Sequence, residues 1–328
     1  MSGTTWFFQD GFRQVVKGFE DTYGIKVIIP DGSHDANLQK FLADTNRKQG
    51  DIDVLSLGGK EIANINPAQT LIGPLSALLP HSNKLKYRME GVDSKGYAVA
   101  YWGNQTGIAY NPALIREDEL PQSLADFSAY FAKNPELFGF NTTNGGSGPA
   151  FIESIAHHLA TNVDYHTDHP TPATMKKLKP VWRWFNQRQN QFIITASNAD
   201  SITRLNGGEF ALVPTWEDLL ARSQRKGDIS KKIKFYIPKL GMPGGGNVIV
   251  IPKNTRHPAA ALLLVSWLTS AQTQTLFNQT FGAAPQNPDA DTRHSLISLA
   301  ERQRSTDWAN KALGEAIKNT FINHVTLH

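Results

Sequence analysis

The chain has 328 residues, 40% hydrophobic and 19% charged, with 33 Lys and Arg against 29 Asp and Glu for a net charge of +4. That length exceeds the usual limit of a single core and predicts two lobes. The lack of cysteine excludes disulfides, thiolate nucleophiles and thiolate metal sites, no apolar run approaches the ~18 residues of a membrane span, and the mild, scattered basicity without a recognisable module argues against nucleic-acid binding.

Met1-Ser2-Gly3-Thr4 leads straight into Trp6-Phe7-Phe8, with no basic stretch and no apolar signal core. Either the protein is cytoplasmic or a start codon has replaced a signal peptide. Residues 6–8 read as a short strand, after which Phe12, Val15, Val16 and Phe19 recur at helical spacing until Tyr23-Gly24 stops the helix. Residues 25–29 read as a buried strand ended by Pro30-Asp31-Gly32, Leu38, Phe41 and Leu42 mark a second helix, and residues 51–57 form a third strand running into Gly58-Gly59. This is a βαβαβ unit, in which the loops beyond the carboxyl ends of the strands line a binding cleft. A second unit opens near residues 97–102 and 107–110, read as two strands that pass between lobes. A helix at 124–132, a strand at 138–140 and a helix from Pro149 through Leu159 follow. Residues 210–213, 234–237 and 247–251 read as strands, and the apolar run 259–268 as a buried helix. The remainder is mostly helical, interrupted at 281–288.

Several segments, in order, resemble the type II periplasmic binding proteins, the family 1 extracellular solute-binding proteins. They are Phe19-Glu20-Asp21-Thr22-Tyr23-Gly24-Ile25-Lys26-Val27, Asp51-Ile52-Asp53-Val54, Gly103-Asn104-Gln105-Thr106-Gly107-Ile108-Ala109-Tyr110-Asn111 and Asn206-Gly207-Gly208-Glu209-Phe210. Ile251-Pro252-Lys253-Asn254, Trp267-Leu268-Thr269-Ser270 and Gly282-Ala283-Ala284-Pro285-Gln286-Asn287-Pro288 continue the series. The resemblance covers nearly the whole chain. It implies an α/β, two-lobed periplasmic-binding-protein-like fold of type II, with two α/β lobes joined by two crossing strands. Lobe 1 would comprise residues 1–105 plus about 248–290, lobe 2 residues 106–247, and the C-terminal helices of 291–328 would pack on either lobe. It further implies a periplasmic or otherwise extracytoplasmic, monomeric solute-binding component of a bacterial ABC importer. Such a protein captures a small molecule in an interlobe cleft and delivers it to an inner-membrane permease, with no cofactor and no catalytic or metal-binding residue.

The most informative segment for a binding site is Asn141-Thr142-Thr143-Asn144-Gly145-Gly146-Ser147-Gly148-Pro149, between a strand and a helix. Its glycines permit close backbone approach, and a helix start presents free N–H groups to a polar ligand or anion; the same composition also makes an ordinary capped βα turn. Thr143, Gly146 and Ser147 are its candidate ligand groups. Trp102 and Trp216 read as rings that stack on a ligand or, alternatively, pack a core. Glu217 reads as a partner for a cationic ligand or as a first-turn acid. Gln9, Asp10, Gly59 and Lys60 stand at strand ends, Asp10 with the competing reading of a helix cap, and Asn104 lies in the crossing segment. His157, His158, His166 and His169 do not gather on one face and read as surface histidines.

Polyamine-binding relatives place an acid shortly before the strand that matches residues 248–251; residues 242–247 here contain none. That leans toward a thiamine-like ring compound or a sugar-like compound. The alternatives are a polyamine or oxyanion binder, and a small-molecule hydrolase or transferase on an α/β fold. The enzyme reading lacks support in Gly-x-Ser-x-Gly, P-loop or His-Glu-x-x-His patterns.

Overall fold

The computed structural model describes residues 3–4, 9–30 and 34–326, with side chains described at 11–30 and 36–326. Along the chain run β1 (Gly3–Thr4), α1 (Gln9–Tyr23), α2 (His34–Asp44), β2 (Val54–Gly58), α3 (Pro67–Thr70), β3 (Arg88–Met89), β4 (Val92–Asp93) and β5 (Val99–Tyr110). Next come α4 (Leu124–Lys133), β6 (Gly139–Asn141), α5 (Ser147–Leu159), α6 (Pro172–Lys177), α7 (Lys179–Asn186), β7 (Ile193–Thr195), α8 (Asn198–Asn206), β8 (Leu212–Trp216) and α9 (Glu217–Lys226). The chain ends with β9 (Lys234–Tyr236), β10 (Met242–Val250), α10 (Pro258–Leu268), α11 (Ala271–Phe281), α12 (Leu299–Arg302), β11 (Ser305–Thr306) and α13 (Lys311–Phe321). Among the described residues no helix is long and apolar enough to cross a membrane.

The chain divides into two compact units, Met1–Asn104 with Gly245–His294, and Gln105–Gly244 with Ser295–His328. It passes from one to the other inside β5, inside β10, and once more at His294 to Ser295, where there is no strand.

In unit 1, β1 runs parallel to β2, and β2 pairs antiparallel with β10 from Asn247↔Gly58 to Val250↔Leu55. Successive strand side chains point to opposite faces, and here both faces are covered. Val54, Ile249, Val99 and Tyr101 meet Phe12, Val15, Val16 and Phe19 of α1 and Leu264, Val265 and Leu268 of α10. Leu55, Leu57, Val248 and Val250 meet Leu38 and Phe41 of α2. A sheet buried on both sides needs nearly continuous apolar strands, which is the pattern of 54–57 and 248–251. The strand expected at 6–8 lies outside the described residues. The one expected at 25–29 is reduced to a single bridge at Ile28: Val27 and Ile29 still point inward, but the Val27 N–H donates to Glu20 Oε1 at 2.7 Å instead of to a ladder.

In unit 2, β5 pairs antiparallel with β8 from Thr106↔Trp216 to Tyr110↔Leu212 and with β9 at Ile108↔Tyr236, while β6 and β7 are parallel. The two strands expected at 97–102 and 107–110 are one, since polar side chains in the intervening stretch satisfy neighbouring backbone. Gln105 Nε2 donates to the Met242 carbonyl at 3.1 Å, and Thr106 Oγ1 to that of Pro243. These bonds also extend β10 backward through the glycines that were expected to precede it. The core is rich in phenylalanine: Phe138 and Phe151 lie 4.9 Å apart, and Phe321 of α13 sets its edge against Phe185 at 4.9 Å and 89°. Ser123 and Asp126 form a capping box at the start of α4.

Candidate functional site

In unit 2 the loop between β6 and α5 is built around Asn141, which is fully buried. Its Nδ2 donates to the carbonyls of Thr143 (2.9 Å) and Gly145 (3.1 Å), and its Oδ1 accepts the Gly148 N–H at 3.3 Å. Asn198, at the start of α8, accepts the Ser147 hydroxyl at 2.6 Å and the Ser147 N–H at 3.3 Å. Pro149 has no N–H to offer. The expectation of free donors at this helix start is thereby corrected: α5 begins at Ser147, two residues earlier than expected, and its first two N–H groups meet side-chain oxygens of the protein. Ser147 is buried, while Thr143, Asn144 and Gly145 are exposed at the rim.

Trp216 ends β8 and is part-exposed. Its ring packs over Gly146, where an added Cβ would lie 3.0 Å from Cζ2, and stacks on Trp308 at 5.9 Å and 26°. Gly146 and Trp216 are thus brought together, and Trp308, which the sequence reading missed, fixes the second ring. Glu217 is a different matter. Only 1% exposed, it receives both arms of Arg302 at 2.9 and 3.0 Å and the Leu296 N–H at 3.0 Å. A bidentate guanidinium leaves this carboxylate no room for a ligand, so its expected role as a ligand partner is corrected to that of a clamp on the C-terminal segment. A buried acid at the N-terminus of α9, with arginines far downstream, was the available signal, but the register of that partner cannot be read from sequence.

In unit 1, Gly59 follows β2 under the hairpin of β3 and β4, where an added Cβ would come within 2.6 Å of the Met89 carbonyl oxygen. Gly59 therefore serves close backbone packing. The part-exposed Lys60 donates its N–H to Glu90 Oε2 at 3.0 Å. Burial pushes the Glu90 carboxyl up to about 7, against the opposing pull of the Lys60 charge and of the N–H groups of Lys60 and Gly246; Glu61 adds to the rise. Glu90 as a residue is part-exposed, but its carboxylate is enclosed, and that is the group that titrates. Nearby, Ser56 Oγ and Tyr101 Oη share a hydrogen bond of 2.7 Å, with Asn247 Nδ2 3.4 Å from Ser56. Asn104, part-exposed, is the last residue of this stretch of unit 1. Trp102 is corrected to a core residue: it is 1% exposed and packs on Phe277 and Phe281 at 5.4 and 5.0 Å. Gln9 and Asp10 open α1, and their side chains lie outside the described ones.

Among the histidines read as surface residues, His157 is corrected to a part-buried one, while His158 is exposed. His157 lies against Tyr165 at 3.9 Å and burial lowers it to about 4, helped by the charges of His158 and His166. His158 is exposed and bonds the Ser154 carbonyl.

A family model of bacterial extracellular solute-binding proteins matches residues 14–310. The chain belongs to that family. Among similar curated proteins, protein YnjB of Escherichia coli (strain K12) is 23% identical over 254 residues, 72% of this chain; the chain spans 64% of YnjB. The Fe(3+)-binding periplasmic protein of Serratia marcescens is 23% identical over 267 residues, 79% of this chain and 70% of that one. The crystal structure of an extracellular solute-binding protein from Bordetella parapertussis superposes with a TM-score of 0.76 at 17% identity, covering 99% of this chain and 98% of the other. At that identity the likeness establishes the α/β fold of the periplasmic binding proteins.

Proposed function

We propose that this member of the family is the extracytoplasmic solute-binding component of a bacterial ABC importer: a non-catalytic monomer that closes on a small solute and delivers it to an inner-membrane permease. The observation that carries this reading is the family match over residues 14–310. Two strands that each run from one unit into the other also support it, since connections of this kind let domains close by hinge motion. Solute would be gripped by Thr143, Gly146 and Trp216 from unit 2 and by Lys60 and Asn104 from unit 1. A part-exposed tryptophan ring held flat by a second favours a ring-bearing or hydroxylated solute, thiamine-like or sugar-like, through face stacking.

Mass spectrometry of small molecules that copurify, followed by thermal shift with thiamine, sugars, spermidine and ferric citrate, tests the reading. A true solute at 100 times its Kd should stabilise the protein by about 2.7 kcal/mol and be recovered unchanged. Trp216→Ala should then weaken its binding by about 1 to 3 kcal/mol. Turnover of the molecule, or the same radius of gyration with and without it, would count against the proposal.

A further inference from the structure

The turn joining β3 to β4 consists of Glu90 and Gly91, with φ of 53° and 81°. Two-residue hairpins favour positive φ because it matches the strand twist, but Asn, Asp or Gly normally stands first. A glutamate in this conformation is uncommon, and such outliers persist where the surroundings hold them. Here the side chain is held by two other elements of unit 1. Oε2 accepts the Lys60 N–H beyond the end of β2, the carboxylate accepts the Gly246 N–H in β10, and Oε1 occupies the space that a side chain on Gly245 would need. Gly246 in turn, at φ 152°, lies so close to the Trp102 carbonyl of β5 that no Cβ fits.

We propose that Glu90 is a positioning residue for the second passage of the chain: its carboxylate latches the Gly245-Gly246 stretch of β10 to the Gly59-Lys60 turn, so that β10 bends at Gly244 while Gly246 stays fixed. The latch is adjustable. The carboxylate accepts both N–H groups, but burial disfavours its ionised form where it sits, so ionisation favours its release to water. The charged groups facing it are Lys60, which favours the ionised form, and Glu61, which opposes it. The latch therefore loosens as pH rises through about 7. Its consequence for closure rests on the solute-binding role proposed above; the latch itself does not.

Amide hydrogen exchange by NMR on the full chain, without solute, tests it. Protection at Lys60 and Gly246, relative to other amides of β2 and β10, should fall as pH rises through neutrality. At pH below that range it should fall about ten- to a hundredfold in Glu90→Ala. In Glu90→Gln, which keeps the side-chain volume and does not titrate, the relative protection should be independent of pH. Relative protection unchanged within about twofold in Glu90→Ala, or a pH response that persists in Glu90→Gln, overturns the latch. A solute that binds and closes the protein equally well in both variants confines the latch to the free protein, which overturns its part in closure. Absence of any bound solute, by contrast, bears on the transport reading and leaves the exchange result to decide the latch.

Discussion

Glu217 in unit 2 and Glu90 in unit 1 are enclosed carboxylates held in opposite ways. In unit 2, Glu217 meets a two-armed guanidinium and an N–H, and Glu153 accepts the Ala309 N–H at 2.9 Å. Both tie the C-terminal segment to the rest of the unit. In unit 1, Glu90 meets two N–H groups with an ammonium in the neighbourhood, and remains poised near its titration point. A carboxylate matched by a bidentate cation makes a fixed frame, whereas one held chiefly by backbone donors against burial remains adjustable. The loop at Asn141 repeats the lesson with neutral groups: the donors at its helix start are met from within the unit.

The comparison breaks most readily at Arg302. Arg302→Ala leaves the Glu217 charge buried beside a single N–H and should destabilise unit 2 by about 3 to 5 kcal/mol, read from denaturant unfolding. A loss below about 1 kcal/mol would mean that the clamp is no stronger than a surface pair.

A second test uses pH, because the two units should respond with opposite sign. Glu90 keeps its proton up to about 7 in the folded chain, above the ordinary 4.5 of a free glutamate. Its contribution is fully present below pH 4.5 and is lost as pH rises through 7. His157 titrates near 4 instead of 6.5, so its contribution is present above pH 6.5 and lost as pH falls through 4. Each has a ceiling of about 3 kcal/mol, lowered by solvent screening of these part-exposed residues. Residue-resolved hydrogen exchange across pH 4 to 8 should show the core of unit 1 losing protection as pH rises and that of unit 2 losing it as pH falls. Glu90→Gln should flatten the first response and His157→Phe the second; parallel responses in both units would refute the contrast.

The smallest expected effect is at Ser147. Ser147→Ala removes the hydroxyl shared by Asn141 and Asn198 and should reduce stability by about 1 to 2 kcal/mol, with solute affinity unchanged within about twofold because the residue is buried. Lost affinity at constant stability would restore Ser147 as a ligand group.

Much of the fold was legible because its determinants are local. The apolar spacing of Phe12, Val15, Val16 and Phe19 marks α1, and the nearly continuous apolar stretch at 54–57 marks a strand covered on both faces. The fates of the site residues depended on partners distant in sequence. Trp102 is as large and flat as Trp216, and only the arrival of Phe277 and Phe281 makes it core. Glu217 looked available until Arg302, 85 residues later, took both its oxygens. Glu90 escaped notice because its interest lies in a positive φ and in two backbone donors, neither of which has a residue signature of its own.

The third passage of the chain, at His294 to Ser295, sets an order of assembly. Unit 1 has all its residues once synthesis reaches position 294, but unit 2 still lacks Arg302, Trp308 and Phe321. Until those last residues emerge, Glu217 has no guanidinium, Trp216 has no neighbour to lie on, and Phe185 has an open edge. The unit that begins second must also finish last, so its core closes only after Phe321 has been added. A polypeptide truncated anywhere beyond residue 294 would retain every part of the first unit and expose an unfinished second one.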